Sequence, residues 1–66
     1  MIWVNEDRPT KKDVLHIEGC KYEQAKRDTP NKGINQRKKD GGWFIFPTED
    51  EARQRFPNAK RCGECM

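Results

Sequence analysis

The sequence is poor in hydrophobic residues, which make up 32% of its 66 positions, and it contains no long apolar run. No stretch approaches the ~20 apolar residues that a bilayer demands, so a membrane-spanning helix is excluded. The opening Met1-Ile2-Trp3-Val4-Asn5-Glu6-Asp7 is too short in its apolar part and too acidic beyond it to be expected as a secretory signal. There is a single histidine, so no spare imidazole remains for general-base work once it is committed elsewhere. Gly41-Gly42 stands alone as a turn signal without the frame of a phosphate-binding loop. Internal repeats and low-complexity tracts are missing as well.

What is abundant is charge, at 38% of residues. A chain of this size has room for one small domain, here 1–66, and such a domain is marginal. Folded, it would expose roughly 4,400 Å², against roughly 11,300 Å² unfolded. Burying the difference contributes on the order of 100 kcal/mol. Ordering the chain costs about the same. A sequence in this balance needs a staple: a disulfide, a metal or a partner subunit.

The cysteines suggest which. There are three, Cys20, Cys62 and Cys65, and an odd number suits a disulfide framework poorly. With His16 the count of N/S donors becomes four, the number that tetrahedral Zn²⁺ takes in a closed structural site. His16-Ile17-Glu18-Gly19-Cys20 reads H-x3-C and Cys62-Gly63-Glu64-Cys65 reads C-x2-C. Two close pairs, far apart in sequence, are the usual pattern of such a centre. A redox dithiol at Cys62/Cys65, or incidental thiols, are the alternatives. Structural zinc supplies on the order of 10–16 kcal/mol in small finger peptides, enough to decide a near-zero balance. The expectation is a chain folded with Zn²⁺ and largely unfolded without it, and no catalysis, because four protein ligands leave no open coordination position.

Met1–Val4, Val14–Ile17 and Trp43–Phe46 read as strands, the first two joined by a polar connection over 5–13. Cys20–Arg27 carries one or two helical turns that Asp28-Thr29-Pro30 ends. Residues 28–42 form a long basic loop. Thr48-Glu49-Asp50-Glu51 is a T-x-x-E capping box opening a helix over about 49–56. Gly63 is expected to permit the tight turn at the last cysteine pair. The predicted core is Val4, Leu15, Ile17, Tyr22, Phe44, Phe46, Ala52 and Phe56, with Trp43 left partly exposed. The expected architecture is therefore α+β, a small zinc-stapled domain with a short antiparallel sheet of about three strands and one or two short helices.

His16-x3-Cys20, then Trp43-Phe44-Ile45-Phe46-Pro47-Thr48-Glu49-Asp50-Glu51-Ala52-Arg53, then Lys60-Arg61-Cys62-Gly63-Glu64-Cys65, together resemble the metal-binding domain of the Ada family, the methylphosphotriester-repair module, and related zinc modules. The likeness covers a little under half of the chain. It implies a zinc site at His16, Cys20, Cys62 and Cys65, with 28–42 as an insertion. In that family the first ligand is a cysteine that accepts the methyl group. Here the matching position is His16, whose metal-bound ring has no free lone pair, so the resemblance implies the fold and the metal and argues against the transfer.

Residues 26–39 hold Lys26, Arg27, Lys32, Arg37, Lys38 and Lys39 against Asp28, a net charge of +5 within a chain of +3. Lys32, Arg37, Lys38 and Lys39 beside Trp43 are the expected partner surface, gripping phosphates with the ring free to stack, or meeting a protein. The expected role is a monomeric binding or adaptor module for a protein or nucleic-acid partner, with no small-molecule substrate and no membrane. The alternative is a DNA-binding or residual Ada-like alkyl acceptor. Reduced thiols imply a cytoplasmic setting. The small size suggests a phage or mobile-element reading frame.

Overall fold

A computed structural model describes residues 1–66. Alternation of side chains across the first two apolar runs continues into their polar neighbours. The strands are therefore longer than the apolar runs alone: β1 spans Ile2–Asp7 and β2 spans Lys12–Ile17. The turn between them shrinks to Arg8–Lys11, closed by Lys11 N–H donating to the Arg8 carbonyl at 3.1 Å, with Lys11 at φ 59°. Glu6 can occupy a strand because Arg37 meets its carboxylate with two hydrogen bonds of 2.8 and 2.7 Å. Beside it, burial and then the Glu6 carboxylate push the Asp13 carboxyl up, and Arg37 partly offsets this.

After the short helix α1 (Lys21–Gln24) come β3 (Gly33–Ile34), β4 (Gly41–Phe46), the helix α2 (Glu49–Arg55) and β5 (Lys60–Arg61). The sheet has five strands in the order β3-β4-β1-β2-β5, not about three. The antiparallel centre, β4-β1-β2, matches the expected trio. The two additions are parallel edge strands of two residues each. A pair of residues carries no alternation to read, so neither edge was legible in advance.

Register divides the sheet into two unlike faces. Ile2, Val4, Leu15, Phe44 and Phe46 share one face. Against it pack Ala52 and Phe56 from the α2 region and Ala59 beyond it, forming the apolar core around the fully buried Val4 and Leu15. Thr48 caps α2 as its box requires, its hydroxyl oxygen accepting from Glu51 N–H at 3.2 Å. The opposite face carries Trp3, Asn5, Val14, His16, Trp43 and Ile45.

Three core expectations are corrected by this arrangement. Ile17 has the right parity but is the last residue of β2 and is 41% exposed. Tyr22 sits on the outer side of α1 and is 46% exposed. Trp43 is buried, at 7% exposure, because it lies on the second face against the His16 ring, with centroids 5.4 Å apart. The accessible surface is 4414 Å², close to the value that scaling with chain size gives.

Residues 28–42 are not an open loop. They contain β3, a bridge between Lys38 and Gly41, and a hydrogen bond from Asp40 N–H to the Asn31 carbonyl at 2.7 Å. Gly41, at φ +105°, is required: a Cβ there would collide with the Glu6 carbonyl oxygen on the paired strand. Gly63 is different, with no left-handed φ and open space around it, so the turn at the last cysteine pair does not depend on a glycine as expected.

Candidate metal centre

β2 delivers His16 from the face opposite the apolar core. The chain then turns sharply through Gly19, at φ +92°, and Cys20 N–H returns to the Ile17 carbonyl at 3.1 Å. This places the Cys20 sulfur 3.6 Å from His16 Nδ1. Two side chains of α1 brace the turn. Glu23 accepts from Gly19 N–H at 2.8 Å, and Gln24 Nε2 donates to the Gly19 carbonyl at 2.7 Å. Glu23 is 4% exposed, and its second oxygen accepts from Lys26. That hydrogen bond is the largest influence holding the Glu23 carboxyl below its usual value, helped by the Gly19 amide and opposed by burial.

The second ligand pair arrives through β5. Its parallel register sets Arg61 beside Leu15, and Cys62 N–H then donates to the Leu15 carbonyl at 2.8 Å. The next step along both strands brings Cys62 alongside His16. Arg61 is held from the other side by two hydrogen bonds to Glu49, 3.1 and 3.0 Å long, and Arg53 joins the same carboxylate at 2.9 Å. The final turn closes with Met66 N–H on the Cys62 carbonyl at 3.0 Å and Glu64 N–H on the Cys62 sulfur at 3.4 Å.

The result is the set expected from the spacing. Ligand atoms of His16, Cys20, Cys62 and Cys65 all lie within 4.8 Å of one another, and the first three residues are buried. A tetrahedral centre with ordinary zinc bond lengths has sulfur–nitrogen edges of about 3.6 Å and sulfur–sulfur edges of about 3.8 Å. The His16–Cys20 edge already has that length at 3.6 Å. The remaining edges need to contract by at most ~1 Å to reach it. The residues present fit a divalent ion of the zinc type.

The electrostatics of the cluster agree with that chemistry. Burial, opposed by Glu23, lowers the His16 pKa and keeps the ring neutral, with a lone pair to donate. Burial raises both Cys20 and Cys65, but only Cys65 ends high, pushed up to about 11, with the Cys20 sulfur adding to the effect. Cys20 ends below its usual value because the Cys65 thiol, the Tyr22 and Glu23 amides and the Cys62 thiol outweigh burial. Those amides approach the sulfur without closing a full capping hydrogen bond. Of these two sulfurs, Cys20 is thus the more readily ionised. All three cysteines are unpaired with one another by disulfide.

The basic residues expected at a partner surface are largely committed within the chain. Arg37 binds Glu6, Lys38 binds Asp28 and the Thr29 carbonyl at 2.8 and 2.9 Å, and Lys32 Nζ stands 5.7 Å from the Trp43 ring centre. Lys26 lies over Trp3 at 4.4 Å as well as on Glu23. Of this group Lys39 is exposed without an ion pair, and Trp43 is covered. No helix is long and apolar enough to cross a membrane.

Glu23, Gln24 and β5 lie outside the site residues expected from the sequence. Glu23 had a signal, since Cys20-x-x-Glu23 has the spacing by which a first-turn glutamate reaches back to an amide before the helix. β5 had none, because Lys60-Arg61 looks like any basic connection. No protein-family model, no curated protein and no solved structure matches the chain.

Proposed function

We propose that the protein is a small structural zinc domain in which His16, Cys20, Cys62 and Cys65 hold one Zn²⁺, and that its role is to present a folded binding surface rather than to catalyse a reaction. The observation that carries this is the convergence of the only histidine and all three cysteines into one largely buried cluster. When bound, the ion supplies a cross-link between β2 and the C-terminal turn. The chain's own residues supply the rest: α1 braces the Cys20 turn, and β5 fixes Cys62 against Leu15.

The partner is a protein or a nucleic acid met through the basic loop over 28–42, where Lys39 is exposed without an ion pair. The Ada-family likeness rests on ligand spacing and on the order strand, capping box, helix. With His16 at the acceptor position it supports the fold and the metal more than methyl transfer. Native mass spectrometry with and without chelator, paired with circular dichroism, tests the centre. One ion per chain and loss of structure on chelation are expected, and a metal-free chain that melts cooperatively overturns the reading. Titration with DNA at two salt concentrations tests the nucleic-acid branch, where a phosphate-dominated complex weakens steeply with salt. Intact mass after exposure to a methylphosphotriester donor tests the alkyl-acceptor alternative.

A further inference from the structure

Three buried side-chain atoms lack hydrogen-bond partners: Trp3 Nε1, Asn5 Oδ1 and His16 Nε2. All three residues lie on the second face of the sheet. Trp3 is opposite His16 across β1 and β2, and Asn5 is opposite Val14, so Asn5 and His16 are diagonal neighbours. Such neighbours have backbones about 7–8 Å apart, with side chains closer. Asn5 and His16 also border one cleft of about 520 Å³, together with Tyr22 and Trp43.

The chemistry of the three atoms pairs them unequally. A tryptophan N–H only donates. A histidine that gives Nδ1 to a metal carries its proton on Nε2, which then also donates. The Asn5 oxygen is the only acceptor of the three. Glu23, the carboxylate that acts on the His16 ring, already uses one oxygen on Gly19 and the other on Lys26. Metal-ligating histidines almost always donate their second ring N–H, because that bond fixes the tautomer and the ring plane.

We infer that Asn5 is a positioning residue for the metal centre: a small rotation of its amide brings Oδ1, unpaired in this structure, onto His16 Nε2–H, and the bond so formed holds Nδ1 toward the three sulfurs. This rests on the four-ligand reading of the centre. The role needs an acceptor at position 5, supplied from the central strand to a ligand on its neighbour. It involves neither the basic segment nor the resemblance to any family.

The test uses the full chain loaded with zinc. Nitrogen-15 correlation spectra of the His16 ring are recorded alongside zinc affinity measured by chelator competition, for wild type, Asn5→Ala and Asn5→Asp. Wild type should show Nδ1 bound and a slowly exchanging Nε2–H. Asn5→Ala should still bind one ion, about 10–100-fold more weakly, with a shifted and fast-exchanging Nε2–H. Asn5→Asp keeps an acceptor of the same size and should bind at least as tightly as wild type, which also separates the role from a folding defect. Unchanged ring signals and affinity in Asn5→Ala, an aspartate no better than the alanine, or a proton on Nδ1 would each overturn the assignment. Failure of wild type to bind zinc at all would instead strike the metal centre.

Discussion

At the scale of single residues, glycine and thiol chemistry set the sharpest expectations. Gly41 and Gly63 look alike in sequence but differ in space. Gly41→Ala puts a Cβ into the Glu6 carbonyl at a left-handed φ, and should cost about 1–3 kcal/mol, read as a lowered thermal midpoint. Gly63→Ala meets nothing and should leave both melting and metal content unchanged. The thiols give a pH dependence. With burial pushing Cys65 up to about 11, binding of an ion by this thiol must expel its proton. Zinc affinity should therefore rise as pH increases from 6 to 9, with proton release visible in weakly buffered solution. Affinity flat across that range would mean that Cys65 is not a ligand. Glu23 works in the opposite direction. Its carboxyl is held below the usual 4.5, so its stabilising effect is fully present above that value and is lost as pH falls through the lower native one. At saturating zinc, wild type should melt above Glu23→Gln throughout the neutral range, and the gap should close in acid.

At the scale of elements, what was legible followed from pattern length. The three long strands and α2 announce themselves through apolar runs and a capping box. Thr48→Ala removes the bond to Glu51 N–H and should cost about 1 kcal/mol without changing metal stoichiometry, as denaturant melts of the loaded protein would show. The candidate cluster was legible because only four residues of the chain offer a nitrogen or sulfur donor of this kind, and the structure gathers them within 4.8 Å. The burial of Trp43 was not, because both faces of its strand are apolar and only the pairing with β1 decides which neighbour it meets. Nor was the order within residues 28–42. Their polar side chains read as solvated, whereas Arg37 reaches the Glu6 carboxylate on β1, Lys38 pairs with Asp28 within the segment, and Asn35 Oδ1 accepts from Ile45 N–H at 3.1 Å. The basic segment thus spends much of its charge on holding its own shape. Arg37→Ala should lower the thermal midpoint, since it strands the Glu6 carboxylate at 12% side-chain exposure.

At the scale of the whole molecule, the apolar core and the His16/Cys20/Cys62/Cys65 cluster lie against different parts of one sheet. The core residues Val4, Leu15, Ala52, Phe56 and Ala59 include none of the four ligands. A chain this short balances burial against entropy almost to zero, so stability should track metal occupancy. Raising free zinc to about 100 times its dissociation constant should add about 2.7 kcal/mol to the unfolding free energy, and the thermal midpoint should climb with zinc concentration.

The two-residue β5 has one more consequence. It covers the outer side of β2 only beside Val14 and Leu15, and it is anchored there by the turn that carries Cys62 and Cys65. Once that anchor loosens, a row of unpaired amides and carbonyls beside Val-Leu-His-Ile becomes a template for a neighbouring chain. Demetallation at high protein concentration should accordingly produce self-association that scatters light, while the same treatment in dilute solution should not.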